Sequence, residues 1–563
     1  MKKLYTFVLL ISVIANLNAY GDDRVEEDFL PIGLTEEELT RLHEIGINHV
    51  ITDVPEGVIR NPAEWERSEG VIIRWPLGIS IAIVAEMSED VMVTTIVGSS
   101  YEQNQAINSY TAGGVNMSNT QFIIAPTNSI WTRDYGPWFI FADNEIGIVD
   151  HIYNRPRPYD DLIPGVIGTQ WGIDVYGMNL ITAGGNHMSD GLGMSMSTRL
   201  VYDENPSLMP AEVDSIMLAY LGNDYTVLEY IESGGIHHID CWAKFLSPST
   251  ILIKDVSPSN PSYNLLNQRA EWLSQQTSAW GVPYNIVRVF CPTGTAYTNS
   301  LILNDKVLVP IFGSYYDSTA LQIYRDAMPG YEVLGFTGTW YDNDAIHCRT
   351  MGVPDMQMLF VDHDPLQDMN YTPDDYPVSV HIEACSGQGL IPDSLKIYYK
   401  VDDGPWNFAL LSSTPDPDSF IGYIPSQSSG TIVSYYIKAA DSSGRVETHP
   451  FIGAPWAHTF EIFFSPQCDY VVGDANDSGE LNGLDVTYGV SYFKGGPQPP
   501  YECECTEGNT WYVAGDVNGS CGYNGLDITY AVAYFKGGPD PIPCADCPPV
   551  EIAAISQDDI TGN

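Results

Sequence analysis

The chain has 563 residues, with 24 Lys+Arg against 72 Asp+Glu and a formal charge of -48. That length exceeds one compact domain, and a composition of 44% hydrophobic and 12% aromatic residues supplies enough core to exclude global disorder. So acidic a surface repels phosphate lattices, which excludes nucleic acid and anionic membranes as general partners and leaves metal ions, amines and guanidinium groups as the natural small ones.

Lys2 and Lys3 precede an apolar stretch from Leu4 to Leu17, and Leu17-Asn18-Ala19 offers a small residue for cleavage. Residues 1–19 read as the signal peptide of a secreted, extracellular chain, too short to serve as a membrane anchor. No later apolar segment is long enough to span a membrane. Residues 20–60 form a polar, acidic N-terminal leader with a short helical pattern around Leu34 to Ile45. From 61 to 362, short apolar runs at Val71–Ile73, Ile81–Val84, Leu301–Leu303 and Val307–Ile311 interleave with helical stretches at Leu265–Thr277 and Ser318–Ala327. Such alternation predicts a single large α/β domain, though not its strand order.

Residues 363–465 change character. Leu395, Ile397, Tyr399 and Val401 alternate with polar or amphipathic neighbours before Asp402-Asp403-Gly404, and Val433, Tyr435, Ile437 and Ala439 do the same before Asp441-Ser442-Ser443-Gly444. Period-two runs closed by Gly/Asp turns predict an all-β sandwich. The region resembles the immunoglobulin-like modules appended to exported bacterial enzymes, which implies a spacer or docking role.

Residues 466–548 hold an internal repeat: Gly473 to Asp485 recurs as Gly515 to Asp527, and each copy runs on to Tyr-Phe-Lys-Gly-Gly-Pro. Oxygen-bearing residues fall at loop positions 1, 3, 5, 9 and 12: Asp474, Asn476, Ser478, Asn482 and Asp485, then Asp516, Asn518, Ser520, Asn524 and Asp527. Position 7, Glu480 in the first copy, supplies a backbone carbonyl, and the set suits Ca²⁺. The module resembles a type I dockerin, a small α-helical pair of half EF-hands, which implies bound calcium and a cohesin-like partner. Serine stands at position 5 where an acid is more usual, and Cys521 takes the place of the turn glycine. Six cysteines here (Cys468, Cys503, Cys505, Cys521, Cys544, Cys547) predict up to three disulfides of open pairing. Cys241, Cys291, Cys348 and Cys385 are scattered elsewhere, and residues 549–563 form a C-terminal tail.

Four pieces of the large domain carry chemistry jointly: Trp131-Thr132-Arg133-Asp134-Tyr135-Gly136-Pro137-Trp138, Gly234-Gly235-Ile236-His237-His238-Ile239-Asp240, Tyr297-Thr298-Asn299-Ser300 and Asp344-Ala345-Ile346-His347-Cys348-Arg349. A planar guanidinium needs carboxylates to hold it, and Asp134 and Asp240 are candidates. Cys348 supplies a nucleophile. His238, two residues from Asp240 and on the same side of a strand, can protonate departing ammonia and then activate water. Trp131 can cover the guanidinium face.

With Pro62-Ala63-Glu64-Trp65-Glu66 and Trp75-Pro76, these motifs resemble the guanidino-group-modifying superfamily, specifically agmatine deiminases and the secreted bacterial-type peptidylarginine deiminases. The resemblance covers about 61–362. It implies a pseudo-fivefold α/β propeller of ββαβ units and a catalytic set of Asp134, His238, Asp240, Asn299 and Cys348, with no cofactor in the catalytic step. Arg155 and Arg157, in Asn154-Arg155-Pro156-Arg157-Pro158, resemble the arginine pair of the peptidyl enzymes. Two guanidinium forks would bind the carboxylate of an arginine-ended peptide and repel the amine of agmatine. The expected reaction is hydrolysis of peptidyl-arginine to peptidyl-citrulline and ammonia through a covalent thiouronium on Cys348. The alternatives are an agmatine or free-arginine deiminase and a catalytically silent, dockerin-bearing binding protein.

Overall fold

The computed structural model describes residues 29–549 apart from Ser233, Asp342, 465–467 and Glu507. The signal peptide expected at 1–19 lies outside the described residues. Among the described residues no helix is long and apolar enough to cross a membrane.

Five small sheets make up the first large unit. In three of them the plan is plainest: Met188–Ser189, Met194–Thr198 and Asp224–Leu228; Ala243–Ser247, Thr250–Asp255 and Asn285–Phe290; Leu301–Leu303, Lys306–Ile311 and Glu332–Thr337. Each makes an antiparallel step, then a parallel one. A helix bridges each parallel pair: Pro210–Leu221, Tyr263–Ser274 and Asp317–Ala327 respectively. The sheet holding Trp138–Ala142, Glu145–Tyr153 and Asp174–Thr182 repeats the plan with helix Ile163–Trp171. In the sheet of Ser68–Arg74, Met92–Val97 and Thr120–Ile124, the antiparallel partner comes from the far end of the unit, strand Met351–Pro354. First and last segments of the unit are thereby joined. Parallel neighbours cannot be linked by a tight turn, which is why a helix intervenes each time.

Several local expectations change. Ile81–Val84, an apolar run compatible with a strand, opens the α-helix Ile81–Asp90, because its length and one buried face (Ile83, Val84, Met87) suit a helix packed on a sheet. The helical pattern in the leader resolves into two 3₁₀ turns, Glu38–Thr40 and Leu42–Glu44.

Beyond residue 358 two sheets pack face to face, one ordered through Leu359–Asp362, Tyr376–Ala384 and Ser419–Ile424, the other through His458–Phe463, Ile432–Ala440 and Lys396–Val401. Val378, Ile382, Ile397, Ile424, Val433, Tyr435, Ile437 and Ile462 fill the space between them. Strand Leu359–Asp362 pairs with Tyr376–Ala384 and belongs to this sandwich, although a boundary at 362 would leave it with the first unit. Arg67 to Glu447 at 2.9 Å and Arg445 to Asp355 at 2.7 Å tie the sandwich to the first unit.

The tail contains helices Gly483–Phe493 and Gly525–Tyr534, each started by an asparagine cap, Asn482 or Asn524, with Asp485 or Asp527 accepting from the cap's N–H at 2.8 Å. Three disulfides close it: Cys468–Cys503, Cys505–Cys547 and Cys521–Cys544. Cys468, Cys503, Cys505 and Cys547 lie close enough to form a metal-holding group, but their sulfurs are committed to those bonds. Cys241, Cys291, Cys348 and Cys385 are free thiols.

Candidate active site

The connections between successive sheets converge, and each brings one piece of chemistry. Asp134 sits in the short helix Thr132–Tyr135; Gly185 in the 3₁₀ turn Gly184–Asn186; Asp240 in the turn Ile239–Cys241, with His238 just before it; Asn299 in the loop before Leu301; Cys348 in the turn His347–Arg349. Tight turns at strand ends present side chains from a rigid base, which suits precise placement.

Cys348 Sγ lies 3.4 Å from Asp240 Oδ2 and 3.2 Å from Asn299 Nδ2. Asn299 also donates to Asp240 Oδ2 at 3.2 Å, while its carbonyl oxygen accepts from the N–H groups of Ala345 and Cys348. One amide therefore fixes the thiol's turn and the carboxylate together. His238 Nδ1 faces Asp134 Oδ1 at 3.4 Å, and the N–H of Gly185 donates to the same oxygen at 3.1 Å. Asp134 Oδ2 and His238 Nε2 are buried and have no protein hydrogen-bond partner. Cys348, His238 and Asn299 have no solvent exposure.

The electrostatics follow. Burial, then the Asp240 carboxylate, pushes the Cys348 thiol well above its usual range. Burial alone would depress His238, but the Asp134 carboxylate beside it outweighs that cost and the imidazole is raised. Burial opposes ionisation of Asp240 as well, yet the hydrogen bond and charge of His347 hold it below its ordinary value.

His238 and Asp240 do not share a strand face. His237 takes a left-handed φ of 60° and a 3₁₀ turn follows, so His238 points to Asp134 and Asp240 to Cys348. Trp131 is not free to cover a substrate: its Nε1 donates to Leu30 O at 2.9 Å, and Arg349, paired with Asp344 at 2.6 Å, lies 5.3 Å over its ring. Nor do the two arginines stand as an open clamp. Arg157, 1% exposed, pairs with Glu38 at 2.7 Å, and Arg155 donates to Ile32 O at 3.0 Å and Asn154 O at 3.1 Å. Arg155 nonetheless acts electrostatically on His238 and on the half-buried Glu204, whose carboxyl is raised by desolvation to about 7.

Sequence reasoning assigned no role to His347, Glu64 or Gly185. His347 joins Asp240 (2.8 Å) to Glu64 (2.6 Å), and Glu64 also binds Lys244 at 2.7 Å. A cavity of about 110 Å³ lined by Glu64, Arg133, His187, Asp240, Lys244 and His347 opens beside this network. A Cβ on Gly185 would stand 2.6 Å from Asp134 Oδ1 and 2.7 Å from His238 Nδ1. The sequence signals were the His in Ile-His-Cys, the Glu in Pro-Ala-Glu-Trp-Glu, and the Gly pair of Ala183-Gly184-Gly185-Asn186.

Residues 60–354 match the family model of the Porphyromonas-type peptidyl-arginine deiminases. The chain belongs to that family. It is accordingly a hydrolase acting on guanidino C–N bonds. A Legionella pneumophila (strain Paris) protein with the provisional name agmatine deiminase is 24% identical over 334 residues, spanning 52% of this chain and 94% of its own. The solved agmatine deiminase of Enterococcus faecalis aligns with 54% of this chain and 99% of its own at 22% identity and a TM-score of 0.49. A structural-genomics structure with the same provisional name aligns with 55% and 99% at 23% identity and a TM-score of 0.50, which shows the deiminase fold in the first unit.

In the tail, Asp474 accepts from the N–H groups of Ser478 and Gly479, and Asp516 from those of Ser520 and Cys521. Asp485 accepts from Asn476 N–H, and Asp527 from Asn518 Nδ2 at 2.6 Å. Glu480 offers its carbonyl, which accepts from Ser478 Oγ at 3.2 Å. Cys521 adopts φ 57°, the conformation the turn glycine would take, anchored by its bond to Cys544. Burial and the neighbouring Asp516 raise the Asp527 carboxyl to about 6. Four buried carboxylates on two loops fit a divalent cation.

Proposed function

We propose that the chain is a secreted peptidylarginine deiminase converting peptidyl-arginine, preferentially at a peptide's C-terminus, to peptidyl-citrulline and ammonia. The observation that carries the chemistry is the meeting of the Cys348 thiol with Asp240 beside the unpartnered Asp134 Oδ2 and His238 Nε2. A guanidinium lying between the two carboxylates satisfies both and brings its carbon to the sulfur.

Its positive charge also favours the thiolate that burial otherwise suppresses. The thiolate adds to the guanidinium carbon. Imidazolium His238 gives its proton to the departing amine, and ammonia leaves a thiouronium on Cys348. Neutral His238 then takes a proton from water, hydroxide adds to the same carbon, and collapse of the adduct releases the ureido product as its hydroxyl proton passes to the departing sulfur, returning Cys348 as the thiol. Asn299 serves as a positioning residue. The five sheets read as the blades of a propeller with this site at the centre.

For the substrate's far end, Arg155 is the carboxylate partner, and Arg157 joins it where Glu38 is displaced. An amine-ended substrate such as agmatine is the second reading. The Arg157–Glu38 pair and the half-buried Glu204 favour it, since together they leave an acid to meet an amine. A citrulline assay across agmatine, free arginine and arginine-ended peptides with free or amidated C-termini decides. Equal turnover of the last two sinks the carboxylate preference, and turnover of agmatine alone establishes the second reading.

The sandwich reads as an immunoglobulin-like spacer and the tail as a calcium-holding dockerin-like module. Leu484 and Leu526, equivalent in the two repeats and 68% and 70% exposed, support a docking face for a cohesin-like partner.

A further inference from the structure

The leader lies across the residues that the peptidyl reading assigns to the substrate carboxylate. Phe29 and Ile32 pack on the core cluster that contains Trp131, Tyr153 and Cys348, and a Cβ on Gly33 would lie 4.0 Å from Ile236, two residues before His238. Arg157 Nη2 donates to Pro31 O at 2.6 Å and Gly33 O at 3.2 Å. The Glu38 carboxylate receives Arg157 Nε at 2.7 Å on one oxygen and Nη2 at 3.3 Å on the other. That two-oxygen geometry is how a guanidinium fork grips any carboxylate.

The leader also builds its carboxylate firmly. Thr35 N–H donates to Glu38 Oε2 at 2.8 Å, and Glu38 N–H donates to Thr35 Oγ1 at 3.1 Å. Burial opposes the charge on Glu38, but the hydrogen bonds from Arg157 and Thr35 and the Arg157 charge together outweigh it, and the group stays below its usual range. The exposed stretch from Ile51 to Val54 that joins this strap to the catalytic unit is held at Thr52, which exchanges hydrogen bonds with Gly177 and accepts from Tyr220 Oη at 2.8 Å.

We propose that Glu38 is a specificity-determining residue that acts through Arg157: it is an internal carboxylate seated on one member of the arginine pair, which an arginine-ended peptide must displace and an agmatine-like guanidine need not. This rests on the carboxylate reading of Arg155 and Arg157 given above. Displacement of the strap frees Arg157 and shifts preference toward free C-terminal arginine.

The test is steady-state kinetics of the full chain and of Glu38→Gln, with acyl-arginine bearing a free carboxylate, its amide, and agmatine. Glu38→Gln is expected to lower KM for the free carboxylate about tenfold or more, with its kcat and both constants for the amide and agmatine unchanged; Glu38→Asp should restore the wild-type KM. To guard against a folding defect, a protease site inserted between Asp53 and Val54 and cut after folding should move the same KM in the same direction. If wild type already prefers free carboxylate and neither change alters that preference, the substrate reading stands and the role of Glu38 is overturned. Uniform changes across all three substrates also overturn it. If neither protein distinguishes carboxylate from amide, the arginine pair is not a carboxylate site and both readings fall.

Discussion

His347 Nδ1 stands 2.8 Å from Asp240 Oδ2, while its Nε2 stands 2.6 Å from Glu64, so the residue before Cys348 braces the carboxylate that the Cys348 thiol touches. Replacing His347 by Ala should lower kcat about 100-fold through misplacement of Asp240. Glu64→Gln should cost less, because Nδ1 keeps its contact. A single-turnover assay separates this from substrate binding; unchanged kcat in His347→Ala would mean that Asn299 alone holds Asp240.

Gly185 has room for no side chain. With Cβ atoms excluded at 2.6 Å from Asp134 and 2.7 Å from His238, Gly185→Ala should retain its fold but lose about 100-fold or more in kcat. Circular dichroism and the citrulline assay together check this. Full activity in the alanine variant would place the reacting groups elsewhere.

Cys348→Ala should abolish turnover, and His238→Ala should reduce it by about 10²- to 10⁴-fold. Because burial and Asp240 raise the thiol, Cys348 in the free enzyme should alkylate slowly at neutral pH and faster as pH rises. Mass spectrometry of an acid-quenched reaction should show the substrate-derived adduct on Cys348 and none in the alanine variant.

Stability should fall as the solution becomes alkaline. Burial, with Asp161 nearby, raises Asp150 to about 8; His49, 3.8 Å away and itself depressed by burial, gives no relief. An acid whose folded value lies above its unfolded one stabilises fully below the unfolded value, about 4, and that contribution disappears as pH passes through about 8. Asp150→Asn should flatten the decline by about 2–5 kcal/mol between pH 5 and 9 in urea titrations. An equally steep decline in the variant would locate the effect in other carboxyls.

Calcium should stabilise the tail of the full chain, and Asp474→Ala and Asp516→Ala should each remove one binding event in calorimetry. With Asp527 raised to about 6, affinity at the second loop should weaken as pH drops below that value, since protons and the cation compete. Binding indifferent to pH between 5 and 7 would exclude Asp527 as a ligand.

The residues that meet at the site were visible as types but not as partners. Cys348, Asp134, Asp240, His238 and Asn299 stood out because a thiol, two acids, an imidazole and an amide suit one reaction. The shape of the His238–Asp240 segment was not visible, because a single left-handed residue at His237 breaks the alternation on which a strand reading depends. Arg157 looked like half of an open clamp because its true partner, Glu38, lies 119 residues away in a segment that reads as a polar leader.

By itself the sequence determined the chemical inventory: the acid excess, the alternating strands of the sandwich, the repeated loops of the tail, and the four motifs of a guanidine hydrolase. These are local patterns, set by spacing of one, two or a few residues. Only the tertiary structure decided which residues touch. Links from Thr132–Tyr135 to His347–Arg349 meet because strand Met351–Pro354 pairs with Ser68–Arg74 and joins the two ends of the unit, and Glu64 reaches His347 across 283 residues. Whether a buried charge is free or already satisfied depends on such long-range contacts, and periodicity along the chain carries no record of them.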